Sequence, residues 1–474
     1  MSNLKFLIGG RLVDGARKSA VLNPATEEVV DVAPRASAEQ INEAVQAAKT
    51  AFPAWSNTTI HERREVLLRI AKVVENNVTA LAPLLTQEQG QPLAYTEGEL
   101  RGFAGALRYA ADSLTLPIKV LEDSADRYVR LLRRPLGVVA AIVPWNYPFD
   151  VLGAKLPAAL LAGNTVVVKP AGTTPLTTLR LGELLADVVP PGVLNIVADD
   201  NDLGDVLTRH PDVRKVSFTG SIATGKRVMA AASESLKRVT LELGGNDPAL
   251  VLEDADVAAA VEGIFFLGFI NVGQACCGIK RVYVHASIYD AVCQGLAEKA
   301  RAARLGNGLD PDTEFGPLQN RAQFERVKAL LEDTRLHGNI IAGGRVRDGA
   351  GYFIEPTIVR DIEDGCRIVD EEQFGPILPV IRYTDLDDAI RRVNGTHFGL
   401  GASVWSKNAV RAGEIALRID SGMVWVNKHA DITFGTPFVG SGQSGIGAEL
   451  GEEGLFEFTQ IQVVNEGSRA VQKG

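Results

Sequence analysis

The chain has 474 residues, enough for about three compact units at roughly 150 residues each, and its 46% hydrophobic and 23% charged composition is that of an ordinary globular protein. A peptide, a disulfide miniprotein and a disordered chain are excluded. The formal net charge is −9 and no basic run follows a phosphate backbone, so neither nucleic acid nor an anionic membrane is expected as a partner.

Cys276, Cys277, Cys293 and Cys366 are too few and too clustered for a disulfide framework. The amino-terminal stretch lacks the order of a signal peptide, and the longest apolar run, Leu136 to Trp145, is well short of the ~20 residues that span a bilayer. A soluble cytoplasmic protein in a reducing compartment is expected.

Taken in chain order, apolar residues three and four apart predict helices over Ala38–Ala54, Ile60–Gln87 and Glu97–Ala111, so the first third reads as mostly helical. Tyr128–Leu132 and Gly137–Val143 read as strands. Short apolar strands then alternate with helices: strands at Thr165–Lys169, Val193–Val197 and Val213–Phe218, helices at Thr177–Val188, Leu203–Thr208 and Thr224–Glu234. Such alternation predicts an α/β unit on a parallel sheet. A second alternating segment starts near Ala249 and passes through Tyr283, Ile340, Ile377 and Val404, with helices at Ile288–Arg304 and Gln323–His337. The glycine-rich junction at Leu243, Gly244 and Gly245 suits a turn between two domains. A last strand, Thr459–Val464, needs a partner edge.

Four constellations carry chemical potential. The run from Phe218 through Thr219, Gly220 and Ser221 to Gly225, Lys226 and Arg227 is a glycine-bounded turn opening a helix, where free N–H groups favour phosphate. It nearly matches the P-loop of a nucleotide triphosphatase, but Arg227 stands where Ser or Thr should hold magnesium, and an ordinary strand-to-helix turn would look the same. In Phe269, Asn271, Gly273, Gln274 and Cys276, a glycine permits close backbone approach, while Lys280 and Arg281 lie near enough in sequence to favour a thiolate. Cys276 and Cys277 are both open as the nucleophile on this reading, and either could be a small core residue. Glu242 sits between Leu241 and Leu243, where desolvation raises a carboxyl toward general-base range; an exposed edge-strand Glu is the alternative. Asn146 lies between Pro144 and Pro148, which pin its backbone and fit its amide to act as a fixed oxyanion donor.

Together these segments resemble the aldehyde dehydrogenase superfamily over about Pro24 to Val464. The glutamate pattern of the family is met by Leu241–Pro248, and its cysteine pattern by Phe269–Arg281 with Gly278 for the usual alanine. Glu372, Phe374, Gly375 and Pro376 match a third motif. The resemblance implies a Rossmann-type NAD(P)-binding domain at 1–118 and 137–243, an α/β catalytic domain at 244–444, and a small β oligomerisation element at 119–136 and 455–474. It also implies that Cys276 is the nucleophile, Glu242 the base for hydrolysis and Asn146 the oxyanion donor. The cofactor would be met by Trp145, Lys169, Gly220, Ser221, Gly225, Leu243, Glu372 and Phe374, with no metal. The presence of Glu242 implies hydrolysis of the acyl group rather than transfer to coenzyme A.

Departures from the family pattern sharpen the expectation. Gly172 replaces the glutamate that commonly accepts from the adenosine ribose, so NAD is expected first with NADP possible. A frequent lysine is replaced by Gly442, with no functional consequence drawn. Tyr147, Asp150, Ala154, Phe434 and Phe438 are placed along the substrate tunnel. Ala154, where several relatives carry tryptophan, implies a wide apolar tunnel for medium-chain aliphatic or aromatic aldehydes. Asp150 favours an amino-aldehyde instead, and a semialdehyde is a further alternative. A homodimer or homotetramer is implied; a catalytically silent binding protein is the remaining alternative.

Overall fold

The computed structural model describes residues 3–467. Its first sheet has the strand order Arg11–Val13, Phe6–Ile8, Leu194–Ile196, Thr165–Lys169, Val138–Ile142, Val213–Thr219, Arg238–Glu242, Gly445–Ile446. The five strands from Leu194–Ile196 to Arg238–Glu242 run parallel. The chain fills them outward in one direction from Val138–Ile142 and then returns to fill the other side. The order therefore reverses between Val138–Ile142 and Val213–Thr219, and in doubly wound sheets ligands bind at the carboxyl ends beside such a reversal.

The centres of these strands are largely apolar because both faces are covered. Val166, Val167 and Val168 are fully buried, each burial contributing about 1.5–3 kcal/mol. The early helices take the predicted places, over Ala38–Ser56, Ile60–Gln89 and Leu93–Ser113. Ser37 with Gln40 and Thr59 with Glu62 form capping boxes at the first two. Gly90, at φ 102°, ends the second in a left-handed cap.

The second sheet runs Asn339–Ala342, Thr357–Arg360, Ile377–Tyr383, Ile279–His285, Asp247–Val251, Gly401–Trp405, Met423–Val426. Only its first strand is antiparallel to its neighbour. A third, three-stranded sheet pairs Thr459–Glu466 with Tyr128–Pro135 and that strand with Lys119–Asp123. The terminal strand thus finds the partner edge that its sequence required. The final residues of the expected oligomerisation element, 468–474, lie outside the described residues.

The first third is less helical than expected. Strands Phe6–Ile8, Arg11–Val13, Arg17–Leu22 and Val29–Arg35 precede the first helix. They are short or half exposed, and their stability comes from pairing, Phe6–Ile8 with the first sheet and the last two with each other. Local periodicity does not report that.

Candidate active site

Three segments distant in sequence converge where the carboxyl ends of the first sheet face the amino ends of the second. Asn146 follows strand Val138–Ile142, Glu242 closes strand Arg238–Glu242, and Cys276 precedes strand Ile279–His285. Glu242 is held in register opposite Thr219 and Gly445, is only 7% exposed, and has one carboxyl oxygen, Oε1, with no partner. Burial first, then the charges of Cys276 and Glu449, hold its carboxyl well above the usual range. The half-buried Cys276 thiol is near enough for its charge to act on that carboxyl. Cys277 and burial hold that thiol well above its usual range, against the smaller opposing pull of Glu242 and Lys280.

Lys280 donates to the carbonyls of Ala275 (2.6 Å) and Gly278 (3.1 Å), close behind the nucleophile. Arg281 does not share this task. Its guanidinium turns to the carbonyls of Asn246 and Val393 and to the Tyr283 hydroxyl, because alternation along the strand sends it to the other face.

The loop before Cys276 is strained. Asn271, Val272 and Gly273 all have left-handed φ, at 47°, 56° and 76°. For a β-branched valine this is an outlier costing about 1–3 kcal/mol. Gly273 is required as well, since a Cβ there would lie 2.4 Å from the Gly375 carbonyl oxygen. The loop is tied down by Gln274, which donates to the Asn271 carbonyl (3.0 Å) and accepts from the Gln319 N–H (2.9 Å). The Asn146 side-chain amide donates to the Gln274 carbonyl at 3.0 Å.

On the cofactor side, Trp145 and Phe374 meet edge-on with ring centroids 5.5 Å apart, and the Lys280 ammonium stands over the Phe374 ring. Glu372 accepts from the Gly245 N–H at 3.1 Å, and desolvation pushes its carboxyl up to about 7. Gly244 lets the Glu372 carboxyl sit where a side chain would be, since a Cβ there would lie 2.2 Å from its oxygen and displace it. The Ser221 hydroxyl caps helix Ile222–Ser233 by accepting from the Thr224 N–H, and Gly225 is packed against Leu243, whose Cδ2 would lie 2.5 Å from an added Cβ. Gly220 donates to the Glu242 carbonyl, so phosphate turn and base share a hydrogen bond. Beside it the buried Thr219 hydroxyl has no partner. An open helix N-terminus at the reversal of the strand order, with this orphaned hydroxyl, fits a dinucleotide.

Lys169 is buried and paired with Asp199. Gly172 donates to the Asn201 side chain at 3.3 Å, and the Asn201 amide nitrogen lies 3.2 Å from where a Cβ at 172 would sit. The space of the missing glutamate is thus lined by Asn201. Beneath it the Arg35 guanidinium donates to the carbonyls of Gly172 and Asp199 and pairs with Asp200.

Along the tunnel, Tyr147 starts helix Pro148–Leu161, and its hydroxyl is raised by burial and by Asp150, Glu99 and the two cysteines. Phe438 packs with Cys277 and Leu400 beside Cys276. Phe434 stands further out, 6.1 Å from the Tyr109 ring and 3.1 Å from where a Cβ at Gly105 would be. Asp150 Oδ1 lies 3.2 Å from the corresponding point at Gly102. Asp150 is exposed, its N–H donates to buried Glu99, and burial together with the Asp150 charge holds the Glu99 carboxyl well above the usual range. Ala154 is half-buried one turn on.

Several residues here gave no sequence signal. Gly102, Gly105 and Tyr109, on helix Leu93–Ser113, pack against Asp150 and Phe434, where glycine on a helix face looks like a weakness rather than a close contact. Lys155 is 0% exposed and ion-paired with Glu449, with Ser217 as a further partner. Both members act electrostatically on Glu242. A lysine in an apolar helix was the available hint, since an unpaired one would be costly to bury.

Comparison with known proteins agrees with this geometry. The family model "Aldehyde dehydrogenase family" matches residues 12–464. A Pseudomonas sp. protein named "Probable aldehyde dehydrogenase" is 41% identical, covering 98% of this chain and 94% of its own. The mitochondrial succinate-semialdehyde dehydrogenase of Arabidopsis thaliana is 38% identical, covering 97% and 88%. The NAD+ complex of an aldehyde dehydrogenase from Bacillus cereus superposes with a TM-score of 0.95 at 35% identity, covering 98% and 97%. The chain belongs to the aldehyde dehydrogenase family and is an enzyme of that class, with its fold.

Proposed function

We propose that this aldehyde dehydrogenase oxidises its aldehyde to the free carboxylic acid through a thiohemiacetal and a thioester on Cys276, with Glu242 as the hydrolytic base. The observation that carries the reading is the convergence of Cys276, the buried Glu242 and the Asn146 amide from three separate segments. Cys276, its proton given up to solvent, attacks the aldehyde carbon as the thiolate. The Asn146 amide, one of whose two N–H groups is anchored on Gln274, offers the other to the oxyanion. When bound, the nicotinamide supplies the acceptor for the hydride lost as the thiohemiacetal becomes a thioester. Glu242 then deprotonates the water that hydrolyses this thioester.

NAD is proposed as the first cofactor. Asp199 already neutralises Lys169, and Arg35 is occupied by Asp200, so neither of these two cations is free for a 2′-phosphate. NADP remains open because no carboxylate projects from Gly172. We assign 1–118 and 137–243 to cofactor binding, 244–444 to catalysis and 119–136 with 455–474 to oligomerisation. Support for the last comes from exposed apolar side chains on both edges of the third sheet, Ile461 and Val463 on the terminal strand and Ile118, Val120 and Leu121 on and beside the other, which suit burial in a dimer or tetramer.

For substrate, the small Ala154 beside the aromatic Phe434 and Phe438 supports a tunnel for medium-chain aliphatic or aromatic aldehydes. The second reading, an amino-aldehyde, rests on Asp150 and Glu99, two carboxyls at one point of the wall. The same pair disfavours a semialdehyde with a terminal carboxylate, although one relative bears that name. The test is nicotinamide reduction with NAD and NADP over an aldehyde chain-length series and one ω-amino-aldehyde, for the native protein and Cys276→Ala. Turnover by the native protein alone supports the mechanism. Highest efficiency at two carbons refutes the wide tunnel, and preference for the amino-aldehyde selects the second reading.

A further inference from the structure

The peptide carbonyl of Asn146 accepts from three side-chain amides: Asn271 Nδ2 at 3.0 Å, Gln91 Nε2 at 3.1 Å and Gln89 Nε2 at 3.2 Å. A carbonyl oxygen has two lone pairs, so three donors on one oxygen exceed what satisfying a buried group requires. The donors also hold one another. Gln89 Nε2 reaches Asn271 Oδ1 at 3.2 Å, and the Gln91 N–H donates to Gln89 Oε1 at 2.8 Å. Gln89 is fully buried and Gln91 nearly so. Both are delivered by the end of helix Ile60–Gln89 and the left-handed turn at Gly90. They come from a part of the chain that supplies none of the reacting groups.

We propose that Gln89 and Gln91 are positioning residues for the oxyanion donor, acting through the backbone of Asn146; this rests on the role given to Asn146 above. Fixing that peptide plane fixes the root of the Asn146 side chain. The Gln274 carbonyl fixes its far end by taking one amide hydrogen. An amide is planar, so two anchors determine where the second hydrogen points. Every member of the clamp is neutral. It therefore adds no charge to compete with the developing oxyanion and does not titrate near neutrality. Preorganised donors contribute because they need not reorient during the reaction.

The test uses Gln91→Met and Gln89→Met, which keep bulk and remove the donor, each alone and combined with Asn146→Ala. Two reactions are followed: aldehyde oxidation, and cofactor-free hydrolysis of p-nitrophenyl acetate, in which Cys276 takes the acyl group and p-nitrophenolate leaves. Alkylation of Cys276 by iodoacetamide, which forms no oxyanion, is the control, together with the thermal unfolding midpoint. The expected result is a fall of about 10-fold in kcat for both reactions, with KM and alkylation rate within about twofold. Adding either substitution to Asn146→Ala should cost little more, since residues acting through one group are not additive. Three results overturn the proposal: kcat unchanged in both single variants, full additivity with Asn146→Ala, or an alkylation rate that falls as much as kcat. A native protein inactive in both reactions overturns the proposed mechanism itself.

Discussion

The turn Thr219–Gly225 reaches the cleft with a Ser221 cap on Thr224 and otherwise ordinary helix-start geometry. The loop Phe269–Cys277 arrives with three successive left-handed residues, a glycine pressed on a carbonyl, and the amides of Asn271 and Gln274 tied to Asn146, Gln319 and each other. On the reading proposed above, one side of the site receives a large polyanion whose own groups supply much of the fit, so an open helix end suffices. The other must place a sulfur atom against a carbon, where a displacement of about 1 Å costs about 10²-fold. Constraint is concentrated where bonds are made.

If that contrast is right, damage to the nucleophile side should exceed damage to the cofactor side. Glu242→Gln should show the largest effect, a fall of about 10²–10⁴-fold in steady-state turnover. Intact-mass measurement should find the Cys276 thioester accumulating, because only its hydrolysis loses the base. A variant that releases acid at the native rate would remove Glu242 from the mechanism. Gly273→Ala should follow, at about 10²-fold in kcat/KM. A methyl there enters the Gly375 carbonyl and disfavours φ 76°, and cofactor affinity measured by calorimetry should barely change.

Sequence reading succeeded unevenly for the same reason. Four parallel strands of the first sheet were legible from their short apolar runs, and Thr165–Lys169 was placed to the residue, whereas Arg238–Glu242, with a charged residue at each end, was not. Cys276, Glu242 and Asn146 stood out because their neighbours are unusual: prolines, paired glycines, a carboxyl among leucines. The clamp at Gln89 and Gln91, the Gly102 and Gly105 contacts and the Lys155–Glu449 pair were not legible. Each depends on a partner far away in sequence, and none breaks a local rule. The early strands Arg17–Leu22 and Val29–Arg35 were missed likewise, since their pairing rather than their pattern makes them strands.

Between the two sides lies the buried ion pair of Lys155 and Glu449, and it tunes rather than reacts. Glu449 raises the Glu242 carboxyl more than Lys155 lowers it. The base acts only when ionised, so turnover should rise with pH through its titration. Glu449→Gln removes the larger raising influence. The rising limb of the pH–rate profile should then move to lower pH, and it does so whether Lys155 keeps its proton or sheds it. Loss of a buried partner should also destabilise the fold, by about 3–5 kcal/mol, which denaturant titration would register. A limb that stays in place would assign the titration to a group other than Glu242.

The mildest expected effect belongs to the open turn. Ser221→Ala removes the side-chain cap of helix Ile222–Ser233, worth about 1 kcal/mol of stability. The backbone N–H groups at that helix end remain, and they carry most of the attraction for phosphate. Cofactor affinity should therefore weaken by about fivefold, the equivalent of about 1 kcal/mol, and kcat at saturating cofactor should hold. A large fall in kcat would mean that the shared hydrogen bond from Gly220 to the Glu242 carbonyl transmits the loss to the base. The two sides of the site would then be one rigid unit rather than a loose receiver facing a fixed nucleophile.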